Sequence, residues 1–521
     1  MKDSAYMQDT DVRTNKETFT RDKARSILLY SVIFWMAGHG YRFLNNLYTG
    51  DTLTSIFQDD IWWQRSLGRF MQPLSMIFRG VIVSPWLLAL ISVLFFAGAV
   101  YMISDLLKLD DRVVLFVICG ILSCNITVTC ALAAYTPWID IYMTAFFLAV
   151  LGVRLFWTDR LSGYILGILC FVMCMGFYQA YICVAFILMA MLFVIELSQV
   201  KPDRAFALRV VKTGAATLLS GGLYYALYKI VLRLHHVEEA VSYNSLSNLG
   251  AGEGKSLGTL IAGTYRNYFY YLTHQGTFVS TYLLGRKVSD VWDAMVALCV
   301  AAAAVILIAR LIVINVRNKT TVLQRILQVL LIICFPLFSN VIYILSGGME
   351  YELMIFSFYF LFVMSAALNV KAEGGTVRKY LALIPIAVLV WHAVVFSNQV
   401  YLKVDMEDRA ALSFATRVAD DINNTEGYVP GVTPVRILGL PEASEHYGPV
   451  LYLKDVIIHG NFDTPFNYES SLPFYMNYYL NERINYTSAP VPADVAASMP
   501  EYPENGSVAF VDDVLVIKLS D

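Results

Sequence analysis

At 521 residues, with 57% hydrophobic and 15% charged side chains, mean hydropathy +0.57 and a formal charge of −3, the chain is too apolar to be a soluble protein of its size. All eight cysteines fall in apolar stretches, which leaves neither a disulfide framework nor a zinc spacing, and no nucleic-acid partner is expected. The composition describes a polytopic membrane protein.

Residues 1–25 are polar and lack an apolar core followed by a small-residue cleavage site, so they read as a cytoplasmic arm and not as a cleaved signal peptide. A membrane crossing needs about 20 mostly apolar residues, and about 11 windows qualify. They lie near 26–46, 84–107, 113–134, 138–157, 161–177, 180–197, 213–232, 290–314, 326–346, 353–370 and 381–398. Basic residues collect in alternate connections: Arg21, Lys23 and Arg25; Lys108 and Arg112; Arg154 and Arg160; Lys201, Arg204, Arg209 and Lys212; Arg317, Lys319 and Arg325; Lys371, Arg378 and Lys379. Positive charge marks the cytoplasmic side, so the N-terminus is predicted inside and the tail after the last span outside.

The first outer loop, about 45–84, holds an acidic pair, Asp59 and Asp60, among Gln58, Trp62, Trp63, Gln64, Arg65, Gly68 and Arg69. Carboxylates beside a bilayer are costly and usually functional where they face a cavity. With arginines and indoles around them they point to a lipid-linked, polar substrate. Leu67, Phe70, Met71, Leu74, Met76, Ile77 and Phe78 form an amphipathic stretch too short to span, expected to lie in the interface with Arg69 and Arg79 toward headgroups.

Further along, Asp140 follows Thr136-Pro137-Trp138 in the second outer turn, as a second acid or a helix-start carboxylate. Tyr178 and Gln179 interrupt a long apolar run on the outer side, and His39 reads as a satisfied polar group of the first span. A second large outer loop, about 233–289, carries a glycine-rich section and then Tyr265, Arg266, Asn267, Tyr268, Phe269, Tyr270 and Tyr271, a density that suits an interfacial belt or a binding surface. Within it, Gly250–Ser256 imitates a phosphate-binding loop, but Leu249 stands where the first glycine is required and the segment faces away from ATP. Asp9-Thr10-Asp11 is the only Asp-x-Asp triplet and sits in the polar arm, which gives metal-bound nucleotide-sugar chemistry little support. Glu350 and Glu352 occupy an outer turn after Ser346-Gly347-Gly348, either binding acceptor hydroxyls or simply solvated.

From residue 400 the chain carries 18 acidic against seven basic residues, near −11, which leaves about +8 for the rest. The region 399–521 reads as a small outer α/β domain, with a polar helix at about 405–424, a strand at 435–440 and a hairpin-like run from Val508 to Leu519 around Asp512 and Asp513. Its expected role is a lid over the membrane cavity. The fold expected is an all-α membrane domain over 26–398 with this α/β domain appended.

The layout resembles the polytopic Gtr type II glucosyltransferases, the serotype-converting enzymes of the GT-C superclass. The resemblance rests on Gln58-Asp59-Asp60-Ile61-Trp62-Trp63 followed by Gly68-Arg69, on Tyr178-Gln179-Ala180 between two spans, and on the strand-like ending. It implies a bacterial inner-membrane enzyme that moves a hexose, usually glucose, from a polyprenyl-phosphate donor to a hydroxyl of a glycan or lipid-linked glycan at the outer face, with inversion. The essential acid of such enzymes lies in the first outer loop, which implies Asp59 or Asp60, with a slight preference for Asp60. The chemistry agrees: a polyprenyl phosphate leaves readily, so the reaction needs one base for the acceptor hydroxyl and cations for the phosphate. Arg65, Arg69, Arg266, Arg286 and Lys287, on the outer side against the charge trend, are candidate phosphate ligands. Trp62, Trp63, Asp140, Tyr178, Gln179 and Glu350 are candidates for sugar or acceptor contacts. No cofactor is expected with a monophosphate donor, although Asp59 and Asp60 could hold a divalent cation. The alternative is a transporter or flippase of a lipid-linked or free sugar. It fits less well, because no internal repeat is visible and the charge sits in outer loops instead of mid-span.

Overall fold

The computed structural model describes residues 2–57, 61–81, 84–240, 255–274, 282–283, 286–372, 375–441, 447, 453, 456, 465–466 and 468–520, without the side chains of 2–19, 54–57, 282–283 and 286–290. Helix α1 (Lys2–Leu44) runs from the polar arm into the apolar body, and α2 (Gly50–Phe57), α3 (Ile61–Ser66) and α4 (Gln72–Arg79) build the first outer loop. Then come α5 (Pro85–Leu106), α6 (Arg112–Ser123), α7 (Ile126–Ala134), α8 (Ile139–Phe156), α9 (Leu161–Phe177), α10 (Ile182–Leu197), α11 (Arg204–His235) and α12 (Leu257–Thr273). Two-residue strands β1 (Tyr282–Leu283) and β2 (Arg286–Lys287) precede α13 (Val288–Arg317) and an interrupted run of α14 (Val322–Ile333), α15 (Phe335–Ser339) and α16 (Val341–Leu345). After α17 (Phe360–Lys371), α18 (Thr376–Leu381) and α19 (Ile384–Asn424), the C-terminal domain adds β3 (Pro434–Leu438), α20 (Ser471–Tyr479), β4 (Asn485–Tyr486), α21 (Ala493–Ser498), β5 (Val508–Val511) and β6 (Val514–Lys518).

Among the described residues, six helical segments are long and apolar enough to cross a membrane, or seven with the bent α6–α7 pair counted as one span. The chain is therefore a mostly helical, multi-pass membrane protein with a small sheet at its C-terminal end. Helix covers most of each of the 11 windows expected from hydropathy, but those at 113–134, 161–177, 326–346 and 353–370 are bent, short or interrupted, and 26–46, within α1, is not among the six. Hydropathy counts apolar residues and does not register breaks. Between α6 and α7, Asn125 takes an extended conformation and the axis turns by 43°. Its side chain accepts from Val128 N and donates to the Ile121 and Leu122 carbonyls, so one buried amide pairs the backbone groups that the break frees. Thr321 and Gln324 form a capping box on α14, and Gln324 Nε2 also donates to the Leu197 and Val200 carbonyls at the end of α10. Two helix ends are thus satisfied by one glutamine.

The polar helix expected at 405–424 is the outer half of α19, which runs 41 residues without a break. At 1.5 Å per residue that is roughly 60 Å, about twice the hydrocarbon thickness of a bilayer. Its outer half joins a four-stranded sheet of order β4-β3-β6-β5, in which β3 runs parallel to β4 and β6, and β5–β6 is an antiparallel hairpin. Ala411, Phe414, Val418 and Ile422 of α19 pack there on Val435, Ile437, Leu515 and Ile517. Tyr48 and Leu53 of the first outer loop belong to the same core, and Tyr48 meets Tyr479 with ring centroids 4.8 Å apart. The C-terminal domain is seated on the loop that follows α1.

Candidate functional site

The first outer loop is fastened by backbone carbonyls that its turns leave unpaired. Gln179 Nε2 donates to the Leu67 carbonyl at 2.7 Å and to the Tyr224 hydroxyl at 2.9 Å; Tyr224 donates to the Gly68 carbonyl, and Tyr228 to the Ser66 carbonyl at 2.7 Å. Gln72 Nε2 donates to the Phe177 carbonyl, and Met71 N to the Gly176 carbonyl. A Cβ at Gly176 would lie 2.5 Å from Met71 Cγ, so only glycine lets the loop approach this closely. The loop thereby presents Arg69, whose guanidinium carbon stands 4.9 Å from the centre of the Tyr178 ring and whose Nη1 donates to Gln64.

A second wall is the turn after α16. Gly347 and Gly348 have φ of 71° and 98°, the left-handed region that favours glycine. Gly348 N donates to the Tyr343 carbonyl, while the Ser346 hydroxyl bonds to both N and O of Met349. This turn points Glu350 inward: Asn267 Nδ2 donates to its Oε2 at 2.9 Å, and the Tyr271 hydroxyl donates to its carbonyl. Asn267 and Tyr271 are one turn apart on α12, on the face that meets Glu350. Burial pushes the Glu350 carboxyl up to about 7, with neighbouring Glu352 adding to the rise and the Asn267 and Asn340 amides opposing it.

Aromatic rings join the two walls. Tyr142, from the start of α8, packs against Tyr178 and Tyr181 with centroids 4.9 and 6.3 Å away, and interacts electrostatically with both Arg69 and Tyr351. Tyr271 interacts likewise with Glu350 and Glu352. The arrangement offers a cation at one end, carboxylates and amides at the other, and phenol rings between, which suits a sugar phosphate.

The residues singled out in the sequence fall differently. Asp59 and Asp60 lie outside the described residues, as does most of Gly250–Ser256; the backbones of Arg286 and Lys287 form β2, their side chains being outside the description. Arg69, Tyr178, Gln179 and Glu350 line the two walls or hold them in place. Gln179 acts through its hydrogen bonds to the loop. Trp62 stacks on Trp63 at 6.2 Å and is 58% exposed, Arg65 is half-buried at the end of α3, and Arg266 is exposed on α12. Asp140 is buried against Arg79, which also donates to the Pro137 carbonyl. Arg79 therefore does not face headgroups as expected, whereas Ile77 and Phe78 of the same helix are 77% and 84% exposed, as an interfacial helix requires. His39 bonds to the Tyr401 hydroxyl and the Ser123 carbonyl, a satisfied core group. Sequence reasoning missed Asn340, which sits within an apolar run, and Lys255, whose ammonium lies 3.1 Å from where a Cβ of Gly348 would be. The glycine pair before Glu350 was the available signal.

Among known proteins, a family model described as Glucosyl transferase GtrII matches residues 40–369, a segment containing every residue of both walls. No curated protein and no solved structure matches the chain.

Proposed function

The chain belongs to the GtrII glucosyl transferase family, and from that membership we propose that this membrane glycosyltransferase moves glucose from a polyprenyl-phosphate donor to a hydroxyl of a cell-surface glycan. The reaction is a single inverting displacement. The acceptor oxygen forms a bond to the anomeric carbon, the bond from that carbon to the phosphate oxygen breaks, and the phosphate leaves with the electron pair. The acceptor proton passes to Asp59 or Asp60 of the first outer loop, acting as general base. Arg69 holds the departing phosphate, with Arg65, Arg266, Arg286 and Lys287 as further candidates and Lys255 added by its place over the Gly348 turn. Trp62, Trp63 and Glu350 contact sugar. No cofactor takes part in this scheme. The enzyme lies in the bacterial inner membrane with its N-terminus in the cytoplasm and the domain after α19 outside, where it covers the site.

The observation that carries the reading is the match of the family model to residues 40–369, the segment that holds Arg69, Tyr178 and Glu350. Purified full-length enzyme, polyprenyl-phosphate glucose and a glycan acceptor test it, with Asp59→Asn and Asp60→Asn in parallel. Wild type should transfer glucose and at least one variant should not. Undiminished transfer by both would remove the base assignment, and transport without transfer by wild type would favour a flippase. A C-terminal topology tag found in the cytoplasm would reverse the orientation.

A further inference from the structure

A groove of about 560 Å³ lies where α11 stands apart from its neighbours. Helix α11 packs on α9 and α3, whereas α10 packs on α14 and α15, and α12 on α15 and α16. The gap between the two groups is lined by Phe186, Met189 and Phe193 of α10, Val210 and Leu218 of α11 and Leu331 of α14. Both α10 and α11 are long and apolar enough to cross a membrane. Only Thr213 and Thr217 bring hydroxyls to the lining, and these donate back to the Arg209 and Thr213 carbonyls of their own helix. Such a lining disfavours a sugar or an extended peptide, whose polar groups would lose their hydrogen bonds, and suits a hydrocarbon chain.

The two ends of the groove differ. At one, Phe193 packs against Trp157 and Phe206 with ring centroids 5.2 and 5.7 Å away, which closes it. At the other, Ile261 of α12 and Ile344 of α16 belong to the lining, and their sequence neighbours Leu260 and Tyr343 surround Gly348 together with Lys255. A Cβ on Gly348 would lie 3.1 Å from the Lys255 ammonium, 3.3 Å from Leu260 Cδ2 and 3.5 Å from the Tyr343 hydroxyl. The groove therefore leads to the glycine turn before Glu350, with an exposed cation at its mouth. A hydrocarbon chain that ends in a phosphate matches both the lining and the lysine. Along α11 the lining runs from Val210 to Leu218, about 12 Å, less than half the ~30 Å thickness of a bilayer's hydrocarbon. A long lipid tail fits only by its first part.

We propose that this groove holds the isoprene units next to the phosphate of the polyprenyl-phosphate donor, so that the enzyme reads the lipid over the length of the groove and no further. The proposal rests on the glycosyltransferase reading with a lipid-phosphate donor. The rest of the chain lies among the bilayer lipids, reached past Leu218, which is 80% exposed. Gly214 also lines the groove, and a Cβ there would meet nothing within 4 Å, so a side chain at this position occupies the groove without displacing its walls. Lipid tails are as apolar as the lining, so packing and not release of water distinguishes the groove from the bilayer, and moderate effects are expected.

The test uses the full-length enzyme in phosphatidylcholine nanodiscs, with glucosyl phosphates whose prenyl chains range from a single isoprene unit to the full-length lipid. In wild type kcat/KM should rise with each added unit until the groove is filled and then level off. Gly214→Phe should raise KM for the full-length donor about tenfold and flatten the length series. Gly222→Phe, on the same helix and equally open but outside the lining, should stay within about twofold of wild type. A series that climbs to the longest chain, or one that Gly214→Phe leaves unchanged, overturns the proposal. Leu218→Trp replaces Gly214→Phe if the latter does not fold. A sugar-free prenyl phosphate with a photoreactive group on its first isoprene unit is crosslinked alongside. Label should fall on residues 186–193 and 210–218, and unlabelled prenyl phosphate should suppress it where phosphatidylglycerol does not. Equal suppression by phosphatidylglycerol makes the groove an ordinary lipid site and overturns the assignment. Groove labelling without glucose transfer by wild type would sink the transferase reading and keep the groove. Transfer with no groove label and no effect of Gly214→Phe would do the reverse.

Discussion

Arg79 Nε stands 2.7 Å from Asp140 Oδ2, with each side chain 4% exposed, so the last residue of the interfacial helix is locked to the first turn of α8. Removing one partner of such a pair leaves an uncompensated buried charge, typically costing about 3–5 kcal/mol. Asp140→Asn should therefore lower the unfolding midpoint of the purified enzyme sharply, while Arg79→Met with Asp140→Leu recovers much of the loss. If Asp140→Asn instead raises KM for the acceptor at unchanged stability, the carboxylate binds sugar and the ion pair is incidental.

Gln179 pairs the Leu67 carbonyl and the Tyr224 hydroxyl at once. Gln179→Leu should cost about 1–3 kcal/mol by leaving a buried carbonyl unpaired, and should hasten amide exchange over residues 66–71. Tyr224→Phe removes only the bond to the Gly68 carbonyl from the loop and should do less. Equal exchange in Gln179→Leu and wild type would show that the loop is held elsewhere.

Arg69 combines charge with stacking on Tyr178. Arg69→Lys keeps the charge but loses the planar face and the fork of donors. Its KM for the polyprenyl-phosphate donor should rise about tenfold, and that of Arg69→Ala more, with KM for the acceptor little changed. An acceptor-specific effect would place the phosphate elsewhere.

Glu350 carries a pH signature. Its carboxyl titrates near 4.5 in the unfolded chain and at about 7 in the folded protein. The unfolded state therefore ionises first as pH rises, and the folded state loses stability between those values, by roughly 3 kcal/mol at 1.36 kcal/mol per unit. Below the lower value both states are protonated and the group contributes no pH dependence. Glu352, Tyr271 and Cys183 interact with it electrostatically, and the Asn267 and Asn340 amides face it. Unfolding midpoints at about pH 5 and pH 8 should differ in wild type and converge in Glu350→Gln. Parallel pH profiles would place the titration in another group.

The membrane character, the C-terminal hairpin and the short helix α4 were legible because each follows from local pattern: apolar windows, alternation around Asp512-Asp513, and a short amphipathic run ending at Ile77-Phe78. The family was legible from the layout and from a few short motifs. Breaks were not. Asn125 and Asn340 each interrupt apolar runs, and hydropathy averages over them. Pairings between distant segments were equally hidden. The sequence left Asp140 open between a second acid and a helix-start carboxylate, and sent Arg79 to headgroups, because nothing local says that the two meet. Glu350 was left open between a hydroxyl ligand and a solvated turn, and only the arrival of α12 beside it shows the carboxylate enclosed.

The unbroken α19 has a practical corollary for cutting the protein into pieces. A fragment starting at position 425 to leave the membrane behind would lack Ala411, Phe414, Val418 and Ile422, and with them one side of the outer domain's core. One starting at 399 would keep them but lose Tyr48 and Leu53, which reach that core from the opposite end of the chain. The C-terminal domain is therefore not a detachable module: its core is completed only when the loop after α1 and the last span are both in place, which ties its folding to assembly of the whole chain.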